Sequence, residues 1–200
     1  MNTEQTALEL LELEQIPDTA WELLREGVNS ARSPLHTPCL GTLGANGPSL
    51  RTVVLRHCDE PQRLIGCHSD GRSAKVREVM KEPQASWLFY DRDRKLQLRL
   101  TGRVTVHLED GFADRAWANT RAMGRACYNT TTGPGQAVPQ PATAPSRISA
   151  QEEEQTARGH FAVIACRIDF MDWLLLSAKG HRRAQFQWRG EAWTGQWVSP

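Results

Sequence analysis

The sequence predicts a mainly β protein, an antiparallel barrel with peripheral helices. Three observations predict it. Apolar and polar residues alternate over short runs, most clearly where Leu96, Leu98 and Leu100 interleave with Gln97, Arg99 and Thr101, the period of a half-buried strand. Stretches with helical spacing are few. The β runs meet through hairpin-length turns such as Ala45-Asn46-Gly47-Pro48, whose Asn-Gly centre favours the tight connection of adjacent antiparallel strands.

Taken in order, leucines 8, 10, 11 and 13 among glutamates predict an amphipathic helix from about Thr3 to Gln15. Pro17 interrupts it, and Asp18 is the candidate cap of a second helix through Trp21, Leu24 and Val28. Ser33-Pro34 ends the helical register. Residues 1–36 therefore read as an N-terminal helical segment. Cys39–Leu43 and Ser49–His57 read as a hairpin, and Leu64–His68 as a third strand. Arg72–Lys81 has helical spacing and stops at Pro83. Ala85–Tyr90 and Leu96–Leu108 are further strands, joined by the charged turn Asp91–Lys95. Asp110–Met123 returns to helix, Asn129–Pro145 lacks periodicity and reads as a loop, and Ser149–Arg158 is helical with Glu152, Glu153 and Glu154 near its start. Phe161–Ile168 is a strand, and the Trp-rich tail supplies two or three more.

At 200 residues the chain is most simply one domain with a real core, and its net charge of +1 argues against non-specific nucleic-acid or membrane-surface binding. No apolar run approaches the roughly 20 residues that cross a bilayer. The opening Met1–Gln5 lacks the basic-then-apolar profile of a secretory signal, so a cytoplasmic location is expected. Cys39, Cys58, Cys67, Cys127 and Cys166 show no C-x-x-C spacing. They read as free thiols packed as small hydrophobes, and no metal is expected.

Two distant basic stretches read as halves of one anion site. One is Arg51-Thr-Val-Val-Leu-Arg56, followed by His68-Ser69-Asp70-Gly71-Arg72-Ser73-Ala74-Lys75. The other is Trp173, followed by Lys179-Gly180-His181-Arg182-Arg183. Cations at the rims of an apolar strand suit a ligand with a flat apolar body and a phosphate tail. Taken singly, each of these residues is an ordinary strand, surface or core residue. Their joint order carries the argument.

That order resembles the pyridoxamine 5′-phosphate oxidase family of FMN-binding split barrels. The likeness runs from Arg51–Arg56 through Ser69 and Arg72–Lys75 to Gln97-Leu-Arg-Leu-Thr-Gly102, Trp173, His181–Arg183 and the tail Trp193–Pro200. Its wording at Asp70–Lys75 and the N-terminal helices are more similar to a less characterised bacterial branch. The resemblance implies a split-barrel domain over residues 37–200 and a homodimer with FMN held between subunits. It implies that Arg51 and Lys75 grip the FMN phosphate with Ser73 and Arg72, and that Val53, Val54, Leu55 and Arg56 run beside the flavin. His68, Ser69 and Gln97 would lie near the ring or ribityl chain, and Trp173 and Arg183, from the neighbouring subunit, would close the pocket.

The implied substrate grip comprises Arg56, Trp117, Arg121, Lys179 and His181. Here the sequence departs from the family: Arg56 replaces a Lys, Trp117 a Tyr and Lys179 an Arg, while Ala74 replaces an Arg of the phosphate grip. Pro145-Ser146 stands where the oxidases carry Gln-Ser-Ser. These changes keep charge at several points but not geometry. The activity implied is FMN-dependent oxidation of a CH–NH2 or CH–OH group in a small substrate, with or without a phosphate. Two alternatives remain: a reductase of flavin or another electron acceptor on the same barrel, and a non-catalytic module binding FMN or pyridoxal phosphate.

Overall fold

A computed structural model of the chain describes residues 3–141 and 151–200. Pro145, Ser146 and the predicted helix start at Ser149 lie outside them. The helices are α1 (Thr3–Glu9), α2 (Ile16–Asn29), α3 (Ala74–Lys81), α4 (Gly111–Ala118), α5 (Ala122–Ala126) and α6 (Gln151–His160). The strands are β1 (Cys39–Gly44), β2 (Gly47–Thr52), β3 (Leu55–Asp59), β4 (Leu64–Asp70), β5 (Gln84–Asp91), β6 (Leu96–His107), β7 (Phe161–Leu175), β8 (Arg182–Arg189) and β9 (Ala192–Val198). All pairings are antiparallel within a nine-stranded sheet of order β2-β1-β5-β6-β7-β4-β3.

The long strand β7 organises the barrel. One edge pairs with β6 along nearly all its length, and the other pairs first with β4 and then with β8, which carries β9. One strand thus serves two partners end to end, and the sheet splits where they part. The first half of β7 is buried on both faces. Ala162, Ile164 and Cys166 join the barrel core, while Phe161 and Val163 pack with Ala116, Trp117 and Ala157 of the helices outside it. The β6–β7 register shifts after Thr101, so Asp169 has no partner opposite. Gly102 sits at this bulge, where an added Cβ would lie 2.1 Å from the Arg167 carbonyl oxygen. Only glycine permits so close a backbone approach.

Several expectations are corrected. The first helix stops at Glu9 and Leu13–Gln15 form a separate 3-10 turn, in which Glu12 and Gln15 make a reciprocal capping box. Pro17 opens α2 instead of interrupting it, because a first-turn proline loses no helical hydrogen bond. The expected strand Ser49–His57 is two strands. β2 belongs to β1 and β3 belongs to β4, so the chain must leave one ladder at Val53-Val54 to join the other. Asp110 caps α4 by accepting from the Phe112 and Ala113 amides, and the expected helix through Met123 breaks at Asn119–Arg121.

Candidate active site

The break at Val53-Val54 opens a large hollow. A cavity of about 960 Å3 is lined by Thr52, Val53, Val54, Arg56 and His57 from the β2–β3 junction, His68 from β4 and Lys75 from α3. Phe112, Arg115 and Ala116 of α4, the stretch Asn119–Arg121, and Tyr128 close it opposite. Its volume lies within the roughly 300–1,000 Å3 of small-molecule sites. Among the described residues, no Asp or Glu lines it.

A bulge sets its floor. Between Leu55 and His57 the β3–β4 register shifts, leaving Arg56 as the extra residue. His57 then stands opposite Gly66, and its ring crosses toward His68, two residues along the same face of β4. Gly66 makes room: a Cβ there would lie 3.4 Å from the His57 ring and 2.8 Å from the Ile164 carbonyl oxygen. The two Nε2 atoms are 3.0 Å apart. Phe112 packs on His57 at 5.3 Å between ring centres, and Phe161 meets His68 edge-on at 4.8 Å. Burial, then His107 and Arg56, pushes His57 down to about 4. Burial, then His57 and Arg56, pushes His68 down to about 3. Both rings are neutral at physiological pH.

Lys75 of α3 also lines the cavity. Burial, with Arg51 nearby, lowers its pKa from the usual lysine value, so the ammonium sits where an added anion would relieve it. Ser73 precedes α3 but makes no capping bond, because its hydroxyl meets that of Ser69 at 3.0 Å. The first-turn amides of α3 therefore lack a side-chain cap, which suits an anion. Around the mouth, the side chains of Arg56, Arg115 and Arg121 have no hydrogen-bond or ion-pair partner among the described residues.

The remaining expected residues are placed elsewhere. The Arg51 guanidinium does not line the cavity. It donates to Glu78 at 2.8 Å and Ser49 at 2.6 Å, and also to Thr42, beneath α3. Leu55 is a core residue, paired with buried Cys67 of β4 just before the bulge. Arg72 is bound by Asp70 and by Thr130. Gln97 stands mid-sheet between Tyr90 and Leu174. Trp117 is buried with its indole N–H donating to Glu154 at 2.9 Å, and it lines a shallower groove near α6. Trp173 is fully buried within its own chain. Arg183 clamps Asp172 at 2.8 Å, Lys179 meets Glu9 at 3.5 Å, and His181 accepts from the Ser177 amide at 3.2 Å. The sequence analysis missed His57, Phe112, Arg115 and Tyr128. A His beside the Arg56 motif facing a Gly on the next strand was the available signal for His57.

Among the described residues, no cluster of three or more His, Cys, Asp or Glu side chains could hold a metal ion, and no helix is long and apolar enough to cross a membrane. The cysteines are free, and Cys67 and Cys166 are buried.

Residues 19–108, which include the cavity floor and α3, match the family model described as pyridoxamine 5′-phosphate oxidase, FMN-binding domain. Those residues are similar to that family, and the chain as a whole shares the split-barrel fold of the solved structures described below. A 90-residue stretch is 38% identical to pyridoxine/pyridoxamine 5′-phosphate oxidase 2 of Arabidopsis thaliana, covering 43% of this chain and 46% of that protein. The chain thus spans about half the length of this curated relative. Among solved structures, the oxidase-like barrel superposes on a pyridoxamine 5′-phosphate oxidase-related, FMN-binding protein of Nostoc punctiforme with TM-score 0.71 and 19% identity, covering 92% of this chain and 96% of that one. It also superposes on PhzG of Burkholderia lata, solved with tetrahydrophenazine-1-carboxylic acid, with TM-score 0.65 and 19% identity, covering 100% and 98%. At these identities the structural likenesses establish the oxidase-like fold, and function has to be argued from the site.

Proposed function

We propose that this chain is an FMN-dependent oxidoreductase that oxidises a CH–NH2 or CH–OH carbon of a small anionic substrate. One observation carries the reading: a cavity without carboxylates has a half-buried Lys75 beside an uncapped helix start and three unpaired arginines at its mouth. Lys75 and the α3 amides would hold the FMN phosphate through charge-assisted hydrogen bonds. Val53 and Val54 would lie against the isoalloxazine, with His68 and Ser69 near the ribityl chain. Arg56 and Arg121, helped by Arg115, would hold the substrate anion and so orient its reacting carbon. Bound FMN would supply the hydride acceptor.

The proposed assembly is a homodimer, in which Gln97, Arg183, Lys179 and His181 would complete the pocket near or across the interface, while Trp173 stays in the core of its own chain. An outward sheet face supports this reading. Leu50, Leu43, Leu88 and Tyr90 stand 71, 55, 40 and 50% exposed on it, and the row Cys39, Leu88, Arg99, Asp172, Gln185 continues across to β8. Exposed apolar side chains gathered on one sheet face would suit contact with a second copy. The cytoplasm is the compartment this reading assigns.

A reductase of another electron acceptor is the second reading. It is favoured by Trp117, whose indole is spent on Glu154 where the oxidases would place a phosphate-gripping Tyr. The test is direct. The purified protein should carry a yellow chromophore that pyridoxine or pyridoxamine 5′-phosphate bleaches without oxygen. Bleaching by NADH or NADPH alone would favour the reductase, and bound flavin inert to all of them would favour a binding module.

A further inference from the structure

The oxidation proposed above releases a proton as well as a hydride, and the cavity offers few groups to take it. No carboxylate lines it, its lysine and arginines are cations, and burial raises the Tyr128 pKa. His36 donates from Nδ1 to the Gly27 carbonyl at 2.6 Å, so a proton taken at its Nε2 would leave that lone ring charged. The His57–His68 pair is different.

Two neutral imidazoles whose Nε2 atoms are 3.0 Å apart must differ in tautomer. One donates Nε2–H and keeps a bare Nδ1, while the other accepts at Nε2 and carries its proton on Nδ1. Neither Nδ1 has a protein partner among the described residues. The groups facing the pair favour this neutral arrangement. Arg56 of β3 and Lys75 of α3 are joined by Arg115 of α4 and Arg121 before α5, and His107 of β6 lies across Phe112. Surrounding cations penalise any extra positive charge on either ring. A pair that cannot keep a proton can still pass one.

We propose that His57 and His68 form a proton relay for the oxidation in this cavity. Bound FMN would supply the hydride acceptor, and the proton on the substrate nitrogen or oxygen would pass to the bare Nδ1 of one ring. The shared proton crosses the Nε2–Nε2 bond, and the Nδ1–H of the second ring is released to water. One proton enters and one leaves. The C–H and X–H bonds become C=X, and both rings stay neutral with their tautomers exchanged. This inference rests on the oxidoreductase reading.

Two measurements test it. Histidine 15N NMR of the flavin-free protein over pH 5–8 should show one of these rings protonated at Nε2 and the other at Nδ1, with neither titrating. Two rings of the same tautomer, or a charged ring at neutral pH, would overturn the relay. The second measurement follows anaerobic bleaching of the FMN-loaded protein by pyridoxine 5′-phosphate and pyridoxamine 5′-phosphate. His57→Gln keeps a hydrogen-bonding side chain that cannot shuttle a proton. It should retain FMN, bleach about a hundredfold more slowly and recover rate with added imidazole. Unchanged bleaching in His57→Gln, or a slow variant that imidazole does not rescue, would remove the relay and leave the oxidase reading standing. If neither probe bleaches the wild-type flavin, the oxidase reading fails and the relay falls with it.

Discussion

The decisive residue is Lys75, because it is the cation that both lines the cavity and sits partly desolvated beside a helix start. Replacing it with Ala should cost the phosphate contact, about 1.5–3 kcal/mol for a hydrogen bond to a charged group. Flavin fluorescence titration should then show FMN affinity about ten- to a hundredfold weaker. Arg121 is exposed, unpaired and at the mouth. Arg121→Ala should raise KM for an anionic substrate while FMN stays bound, and steady-state kinetics on the yellow protein would show the split. Parallel loss of colour and activity would make Arg121 structural instead. Lys75, Arg56, His68 and Arg121, all singled out in the sequence, line one cavity, because each belongs to a short motif whose order survives folding. Trp117, Leu55 and Trp173 could not be placed, because residue type does not say which face of an element a side chain takes. Arg51 shows the same limit: a neighbouring helix brings Glu78 to it, a contact 27 residues away in sequence.

At the scale of elements, alternation and turn chemistry located most strands, whereas the irregularities that build the cavity left little trace. Nothing in Arg51–Arg56 announces that the chain changes ladders at Val53-Val54, because both halves carry strand-like residues. The bulge at Arg56 is equally silent, and it puts Leu55 and His57, two residues apart, on opposite faces of the strand. Gly102 was visible only as the end of a motif. Its meaning is steric. Gly102→Ala would drive a methyl group against the Arg167 carbonyl oxygen, and rigid backbone on both sides leaves little room to yield. Overpacking of this kind costs typically 1–3 kcal/mol, occasionally more. Urea unfolding should show a loss of at least about 3 kcal/mol, and a loss under about 1 kcal/mol would mean that the β6–β7 bulge can relax.

For the whole molecule, the outward sheet face joins stability to assembly. Asp172 is fully buried on it, held by Arg99 at 2.5 Å, Arg183 at 2.8 Å and Gln185 at 2.9 Å. Burial pushes this carboxyl up, but hydrogen bonds from Arg183, Gln185 and Arg99 outweigh it and hold it at about 2. A carboxyl depressed in the folded state stabilises above its unfolded value near 4, and that contribution is lost as pH falls toward 2. Acid titration should therefore show a loss of about 2 kcal/mol across this window that Asp172→Asn, already destabilised at neutral pH, does not show. The same face carries the exposed Leu43, Leu50, Leu88 and Tyr90, so sedimentation should find a dimer, and Leu50→Glu should yield monomers that bind FMN poorly. The most direct test of the cavity as an FMN site compares FMN with riboflavin, which lacks only the phosphate. The flavin-free protein should bind FMN at least about tenfold more tightly, and Lys75→Ala should erase most of that preference. Equal affinity for the two flavins in the wild-type protein, or a preference that survives loss of Lys75, would contradict the account.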